Sequence, residues 1–330
     1  MSFYLKYNKS VGSKLGCHKM SLEVEIQNII KDIPVDFGVA IKNLHSGEEV
    51  LLNGDHPFQL ANVIKIPILV AAMRQIDRGR LHLHDRIVLH DFHKVYPNDI
   101  LSSMEDGIRL PIKDLFSLMI TISDNTAIDM TLDLIGGPQT VNSVMRSLGF
   151  TSKEINILKN MHGTLDEVFT FPETCLNKSE MVKNAISIGT PFNDRINDDN
   201  FKENVATPRA INRLNEMIFR GKVAGRNVCA EAMAILLQQS LNVRLQSRFP
   251  LDDPNIDVLQ DLGRLCGIQN DSGIIFIKDN IYLSVTILTN KEGQLPYKEV
   301  ISPGFQKVER QVDMAIRQIS RLAYEYWRKQ

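Results

Sequence analysis

The sequence predicts a mixed α/β (α+β) protein in which both ends of the chain form one sheet and helices fill the middle. Short runs rich in β-branched and aromatic residues lie near the N-terminus, at 36–42 and 49–52, and near the C-terminus, at 272–277 and 281–289. The segments between them repeat apolar residues with the 3.6-residue period of a helix. Because strands lie at both ends, we expect them to pair in one sheet that carries an inserted helical lobe.

The helices are predicted from their apolar period and from the residues at their ends. Ser21 is a typical N-cap, Pro111 and Pro208 suit the first helical turn, and Gly79 and Gly136 are typical helix stops. The predicted helices cover residues 21–33, 61–78, 111–122, 126–135, 139–148, 208–219, 227–239 and 305–327. The last of them has a continuous apolar stripe, which we expect to cover one face of the sheet.

Composition and charge exclude several classes of function. The 330 residues contain 38 Lys and Arg against 39 Asp and Glu, a net charge of −1, so nothing favours binding to nucleic acid. The most apolar stretch, residues 64–73, contains Lys65 and Pro67 and is too short to span a membrane. Residues 1–20 lack the apolar core of a secretory signal, so we expect a cytoplasmic location.

The domain organisation is predicted from the same pattern. Residues 1–20 have no hydrophobic period, and we expect a flexible N-terminal tail. Residues 21–330 are expected to form a single domain. Its α/β lobe is predicted from residues 21–60 and 213–330, and its helical lobe from residues 61–212.

Two segments in the helical region carry a family resemblance. Ile122 begins the run ISDNTA, which contains Ser123 and Asn125, and about sixty residues upstream the run FQLANVIKIPILVAAM contains Asn62 and Lys65. These segments resemble the Ser-Asp-Asn motif and the nucleophile helix of class A β-lactamases and related penicillin-recognising serine hydrolases. The resemblance extends over residues 21–328. It implies an antiparallel sheet of about five strands, flanked by helices, and an all-helical lobe, with a cleft between the lobes.

The nucleophile position departs from the family motif. The family helix begins with Ser-x-x-Lys, whereas this chain has Asn62 three residues before Lys65. The motif requires a hydroxyl whose proton passes to a base one helical turn away. A carboxamide has no such proton and its nitrogen is not nucleophilic. The substitution therefore predicts that no acyl-enzyme forms at this position.

A second departure lies on the strand that lines the family's cleft. The resemblance places Asp261, Leu262 and Gly263 where the family has Lys-Thr-Gly, whose first two residues bind the substrate carboxylate. An aspartate in place of the lysine should repel a β-lactam carboxylate, at a cost of about 1–3 kcal/mol for each lost hydrogen bond. The negative charge of Asp261 favours a ligand that carries an amino group.

The position of the family's deacylation carboxylate is left open by the sequence. Glu173 and Asn177 have the family spacing of four residues, but they lie fifty residues after Ser123. An alternative alignment places the loop at residues 155–160, which contain no carboxylate. Both alignments keep Lys65, Ser123 and Asn125.

Histidines and cysteines do not indicate a cofactor or a metal. His82, His84, His90 and His93 fall within twelve residues, yet their spacing matches no zinc pattern and their alternation favours an exposed edge strand. The four cysteines contain no Cys-x-x-Cys pair, so we expect reduced thiols.

The sequence therefore predicts a β-lactamase-like protein without serine β-lactamase activity. Such a protein is a pseudoenzyme or a ligand-binding protein that holds a small molecule in the cleft between its lobes. One alternative is a cytoplasmic hydrolase or amide-processing enzyme that uses Lys65 with Ser123, aided by Glu173 or Asp261. Another is a class A β-lactamase with a substituted nucleophile. Lys65 also has a purely structural interpretation, as a buried lysine hydrogen-bonded to Ser123, Asn125 and Asn62.

Overall fold

The computed structural model describes residues 21–95, 99–161, 163, 204–239, 257–265, 268–277, 281–291 and 303–328. Over residues 257–265 only the backbone is described. The predicted tail, residues 1–20, lies outside the described residues. The division of residues 21–330 into two lobes stays a prediction.

The described helices agree closely with the predicted ones. They are α1 (Leu22–Ile30), α2 (Lys65–Asp77), α3 (Ile112–Thr121), α4 (Asn125–Ile135), α5 (Gly137–Ser147), α6 (Pro208–Phe219), α7 (Arg226–Leu236) and α8 (Pro303–Arg328). The helices predicted to end at residues 33 and 239 end at Ile30 and Leu236. The largest difference is at the helix predicted to start at residue 61, which begins with a 3₁₀ turn, Ala61–Ile64, and becomes α-helical at Lys65. Asn62 therefore lies on the tight turn before α2.

Ten strands are present in the described residues. They are β1 (Val35–Asn43), β2 (Glu49–Leu52), β3 (Phe58–Gln59), β4 (Arg86–Val88), β5 (Arg109–Pro111), β6 (Ile155–Asn156), β7 (Val205–Ala206), β8 (Asp257–Leu265), β9 (Ile268–Ile277) and β10 (Ile281–Lys291). Five of them form the main sheet in the order β2-β1-β10-β9-β8, with antiparallel neighbours throughout. In its centre Val39 of β1 pairs with Ile287 of β10. The prediction that the two chain ends share one antiparallel sheet is confirmed.

The outer face of the sheet is covered by the terminal helices α1 and α8. The apolar stripe of α8 is buried with α1 against alternate residues of β1, β9 and β10, as the sequence predicts. Near the end of α8, Trp327 is 1% exposed, and its indole N–H donates to Glu48 Oε2 at 2.8 Å. The hydroxyl of Tyr326 donates to the other oxygen of Glu48 at 3.1 Å. The last helix is thereby attached to the turn between β1 and β2.

The inner face of the sheet packs against the helical part of the molecule. Helix α2 runs through the centre of this second core, and every residue from Lys65 to Met73 is buried. Helices α3, α4, α5 and α7 surround it, and their apolar faces join the same core. A lysine at 0% exposure in such a position requires polar partners, and the structure supplies them at the start of α2.

Helix α6 is joined to the inner face of the sheet by buried polar side chains. Asn215 Nδ2 donates to Ser272 Oγ at 2.8 Å, and Ser272 shares a 2.8 Å hydrogen bond with Thr286. Ser284 Oγ donates to Asn212 Oδ1 at 2.6 Å. All five side chains are at most 1% exposed, so this network fixes β9 and β10 relative to the helices.

Among the described helices, none is both long and apolar enough to cross a membrane. The cytoplasmic location stays a prediction.

Candidate functional site

Two of the predicted site residues, Lys65 and Ser123, are in direct contact. Lys65, the first residue of α2, is fully buried, and its Nζ donates to Ser123 Oγ at 2.6 Å. The two residues are 58 positions apart in the chain, so the contact depends on the packing of α2 against α3 and α4. A short hydrogen bond between a lysine and a serine hydroxyl is the geometry that a Ser/Lys proton transfer needs.

Ser123 lies on the tight connection between α3 and α4. Its φ of 55° is in the left-handed region, which non-glycine residues rarely adopt. The next residue, Asp124, is the N-cap of α4, and its Oδ1 accepts from the Ala127 amide at 2.9 Å. Asn125 is the first residue of α4. The Ser-Asp-Asn run thus ends one helix and begins another, which holds the serine in a strained conformation facing Lys65.

The turn that carries Asn62 is also strained. Ala61, immediately before it, has a φ of 45°, a conformation that costs a residue with a Cβ about 1–3 kcal/mol. Asn270 of β9 anchors the approach to the turn, since its Nδ2 donates to the carbonyls of Gln59 at 2.7 Å and Leu60 at 3.0 Å. The Oδ1 of Asn270 accepts from the Thr289 amide at 2.8 Å, which ties the same side chain to the sheet.

Asn204 holds the turn from a second side. The Leu60 amide donates to the carbonyl of Asn204 at 2.8 Å. The Asn204 side chain accepts from the amides of Leu158 and Lys159, at 2.9 and 3.1 Å. The segment that ends at Met161 and the segment that resumes at Asn204 therefore meet beside the turn.

The residues predicted at the Lys-Thr-Gly position lie on β8. Asp261, Leu262 and Gly263 pair in register with Ser272, Asp271 and Asn270 of β9. Strand β8 also runs beside the Ala61–Ile64 turn. The backbone of the predicted triplet thus lies at the edge of the sheet next to Asn62, while the roles of its side chains stay predictions.

Glu173 lies outside the described residues. The alternative loop, residues 155–160, is described, and it runs beside α4 and α5. The Met161 amide that follows it donates to Asp129 Oδ1 of α4 at 2.6 Å, and Asn142 of α5 bonds both polar backbone atoms of Ile157. Glu173 as the deacylation carboxylate stays a prediction.

Two aspartates hold the start of α4 by reciprocal hydrogen bonds. Asp99 Oδ2 accepts from the amides of Asn125 at 2.9 Å and Thr126 at 3.2 Å, while Asp124 Oδ2 accepts from the Leu101 amide at 2.9 Å. Burial, and then the negative charge of Asp124, raise the pKa of Asp99 from its ordinary value of 3.8 to about 8. Burial also raises the pKa of Asp124.

Among the described residues, two amide oxygens of the site, Asn62 Oδ1 and Asn125 Oδ1, are buried and have no hydrogen-bond partner. The interpretation of Lys65 as a structural lysine expected hydrogen bonds to both asparagines. The structure confirms its bond to Ser123, but neither asparagine oxygen accepts from Lys65. Asn125 instead directs its Nδ2 toward Asp99 Oδ1 at 3.4 Å, so its carbonyl end is turned the other way.

The histidine-rich segment is arranged differently from the predicted edge strand. Only Arg86–Val88 form a strand there, paired with β5, and His82 and His84 are exposed on the loop before it. His90 donates its backbone amide to His93 Nδ1 at 3.0 Å. Within the described part of the chain, no three His, Cys, Asp or Glu residues are grouped as metal ligands. Cys229 is free and buried, and the other three cysteines lie outside the described residues.

Comparison with known proteins agrees with this arrangement. Residues 21–327 match the family model described as the beta-lactamase enzyme family. The chain belongs to the β-lactamase enzyme family. Both the resemblance drawn from the Ser-Asp-Asn segment and the predicted fold class are thereby confirmed.

Three members of this family illustrate the range of similarity. The chain is 29% identical to β-lactamase VEB-1 from Pseudomonas aeruginosa over 143 residues, which cover 41% of this chain and 46% of that protein. It is 24% identical to β-lactamase regulatory protein BlaB from Streptomyces cacaoi over 312 residues, 90% of this chain and 96% of that one. The crystal structure of a β-lactamase from Sphaerobacter thermophilus superposes with a TM-score of 0.70 at 26% identity, covering 92% and 96% of the two chains. The match to VEB-1 thus takes in less than half of that protein's length.

Sequence reasoning missed the residues that position the site. Asp99, Asn204 and Asn270 make contacts over 26 to 211 residues, which no local pattern reveals. A signal was available for Asp124, because an aspartate directly before a helical period is a typical N-cap.

Proposed function

We propose that this member of the β-lactamase family binds a small molecule in its cleft without forming an acyl-enzyme. The observation that carries the proposal is Asn62 on the turn before α2, one helical turn from Lys65. By family resemblance this is the nucleophile position, and a carboxamide cannot supply the oxygen of an ester. The turn lies beside an ordered site that contains the strained Ala61 and the contact between Lys65 and Ser123.

A regulatory role is supported by the name of one relative together with Asn62. The β-lactamase regulatory protein matches over 90% of this chain, and the crystal structure named as a β-lactamase covers 92%, so the extent of similarity fits either role and the carboxamide at the nucleophile position favours the regulatory one. We therefore propose that ligand occupancy of the cleft is a signal rather than the start of a reaction. The proposed location of this role is the cytoplasm.

The ligand is proposed to carry hydrogen-bond donors, such as an amino group. Two buried amide oxygens, Asn62 Oδ1 and Asn125 Oδ1, accept no hydrogen bond in the described structure. A buried acceptor without a partner costs about 1–3 kcal/mol, which a ligand N–H would recover. Asp261 on β8, in place of the family lysine, adds a negatively charged residue type to the adjacent strand edge.

A second candidate function is hydrolysis through Ser123 itself. The 2.6 Å distance between Lys65 Nζ and Ser123 Oγ favours it, because an uncharged lysine at this distance would accept the hydroxyl proton and so activate the serine. In that reaction the Ser123 oxygen would attack an acyl carbon as its proton passed to Lys65, and the leaving group would then take up that proton. The inward-facing serine would have to replace Asn62 as the attacking residue.

The decisive experiment is intact-protein mass spectrometry after incubation with benzylpenicillin, together with a chromogenic cephalosporin assay. We expect no adduct and no turnover for the wild-type chain. A wild-type adduct that is lost in Ser123→Ala would establish the second function and overturn the first. The variant Asn62→Ser serves as the matched control, because it restores a hydroxyl beside an unchanged Lys65.

The Asn62→Ser variant also tests the remaining alternative, a class A β-lactamase with a substituted nucleophile. We expect at most slow adduct formation, because Asp261 still opposes the β-lactam carboxylate. Rapid cephalosporin hydrolysis by Asn62→Ser would instead show a class A β-lactamase with a substituted nucleophile.

A further inference from the structure

The two carboxylate oxygens of Asp99 have different surroundings. Oδ2 accepts the backbone amides of Asn125 and Thr126, at 2.9 and 3.2 Å. Backbone N–H groups only donate, so these two bonds occupy Oδ2 as an acceptor. Oδ1 lies 3.4 Å from Asn125 Nδ2. A proton bound by Asp99 therefore resides on Oδ1, the oxygen that meets the Asn125 amide.

That amide has one donor end and one acceptor end. An ionised Asp99 accepts only, so it favours the Nδ2 end of Asn125, as the structure shows. A protonated Asp99 donates from Oδ1, so it favours the carbonyl end. A half-turn of the terminal amide exchanges the two ends without moving the backbone of α4.

We propose that Asp99 is a positioning residue that decides which end of the Asn125 amide faces the cleft. With Asp99 ionised, Asn125 presents its carbonyl oxygen, a buried oxygen that has no hydrogen-bond partner among the described residues. With Asp99 protonated, Asn125 presents its NH₂ group. The consequence for ligand choice rests on the proposed function: the ionised form suits a ligand N–H, and the protonated form suits a ligand carbonyl or carboxylate.

The charges on neighbouring elements favour this exchange near neutral pH. Asp124, at the N-cap of α4, repels the ionised form, and with burial it raises the pKa of Asp99 to about 8. Lys65 of α2 donates to Ser123, and Lys94 pairs with Asp91 at 2.7 Å and donates to the Met104 carbonyl. Among the described residues, Asp124 is the charged group that acts on the pKa of Asp99.

The test is an NMR titration of the ¹⁵N-labelled full chain without ligand. The side-chain NH₂ resonances of Asn125 are assigned by their loss in Asn125→Ala and followed from about pH 6 to about pH 9.5. We expect them to shift with one midpoint near 8, together with the backbone amides of Asn125 and Thr126. Resonances that stay constant over this range would overturn the proposal.

Asp99→Asn gives a second arm. Its amide oxygen can accept the two backbone N–H groups, which leaves its NH₂ to donate to the carbonyl of Asn125, so the variant imitates protonated Asp99. We expect Asn125 resonances that match the low-pH wild-type limit and do not titrate. A retained midpoint would refute the proposal. Asp85→Asn, at an exposed site, is the control and should titrate like the wild type.

The wild-type titration stands alone if Asp99→Asn does not fold. Because no ligand is used, a failed titration leaves the proposed ligand binding intact. Equally, failure of ligand binding leaves the orientation of Asn125 to be decided by NMR.

Discussion

Two short segments of the site have strained backbone, and they differ in their side chains. The turn Ala61–Ile64 contains a strained residue and is anchored on Asn270, yet it presents an amide where the family resemblance implies a hydroxyl. The segment from Ser123 to Thr126 contains a strained residue and also contacts the side chains of Lys65 and Asp99. Backbone strain is therefore present at the turn without the nucleophile that the family motif has at this position. The difference indicates that the geometry of the cleft still serves a purpose, which we assign to binding.

The largest expected effect is on the anchor of the turn. Asn270→Ala removes the donors to the carbonyls of Gln59 and Leu60 and the acceptor for the Thr289 amide, leaving three backbone groups without that partner. We expect a loss of about 3 kcal/mol in the free energy of unfolding. Urea unfolding followed by tryptophan fluorescence measures it, with Asn227→Ala on the exposed face of α7 as the control. A loss no greater than that of the control would show that the hydrogen bonds of Asn270 do not stabilise the turn.

The matching test on the other segment is Ser123→Ala. It removes the acceptor of the 2.6 Å bond from the fully buried Lys65. We expect a loss of about 1–3 kcal/mol, because a buried lysine loses one of its polar contacts. The same urea experiment applies, with Ser147→Ala, whose hydroxyl bonds only its own helix, as the control. Equal losses in the two variants would mean that the Lys65 contact adds no stability.

The pH dependence of stability tests the second segment further. Because the folded pKa of Asp99, about 8, lies above its ordinary 3.8, the folded chain binds the proton more tightly than the unfolded chain. The stability from this group is complete below the ordinary value and is lost as pH rises toward 8. We expect the free energy of unfolding of the wild type, minus that of Asp99→Asn, to fall over this interval and then level off. If this difference in the free energy of unfolding rises with pH instead, the pKa of Asp99 is not raised by folding.

The smallest expected effect comes from relieving strain at the turn. Ala61→Gly removes the Cβ at a φ of 45°, and we expect a gain of about 1 kcal/mol in the free energy of unfolding. Ala71→Gly, in the buried interior of α2, should lose about 1 kcal/mol instead. A loss in both variants would show that Ala61 is not strained by its conformation.

The sequence predicts the local parts of this structure well. The helices with clear stops and the strands at both chain ends are confirmed, because each depends on periodicity or on end-capping over a few residues. The start of α2 was predicted four residues early, since its apolar period runs unbroken through the turn at Ala61–Ile64.

The positioning contacts were not predictable for a physical reason. Asp99 comes two residues after Pro97 in the sequence and belongs to no periodic pattern, yet it meets Asn125 26 residues later once α3 and α4 have packed. Its pKa depends on burial and on Asp124, which are properties of the folded chain. The sequence also could not predict that Asn62 Oδ1 and Asn125 Oδ1 have no hydrogen-bond partner among the described residues, because this depends on where the neighbouring groups lie in the folded chain.

The single tryptophan of the chain, Trp327, is held by Glu48 on the side of the sheet that faces away from α2. Its emission should therefore monitor detachment of the C-terminal helix and report nothing when a molecule enters the cleft. A fluorescence titration that stays flat would then be no sign of an unoccupied protein, and calorimetry or NMR is the appropriate way to detect a bound compound.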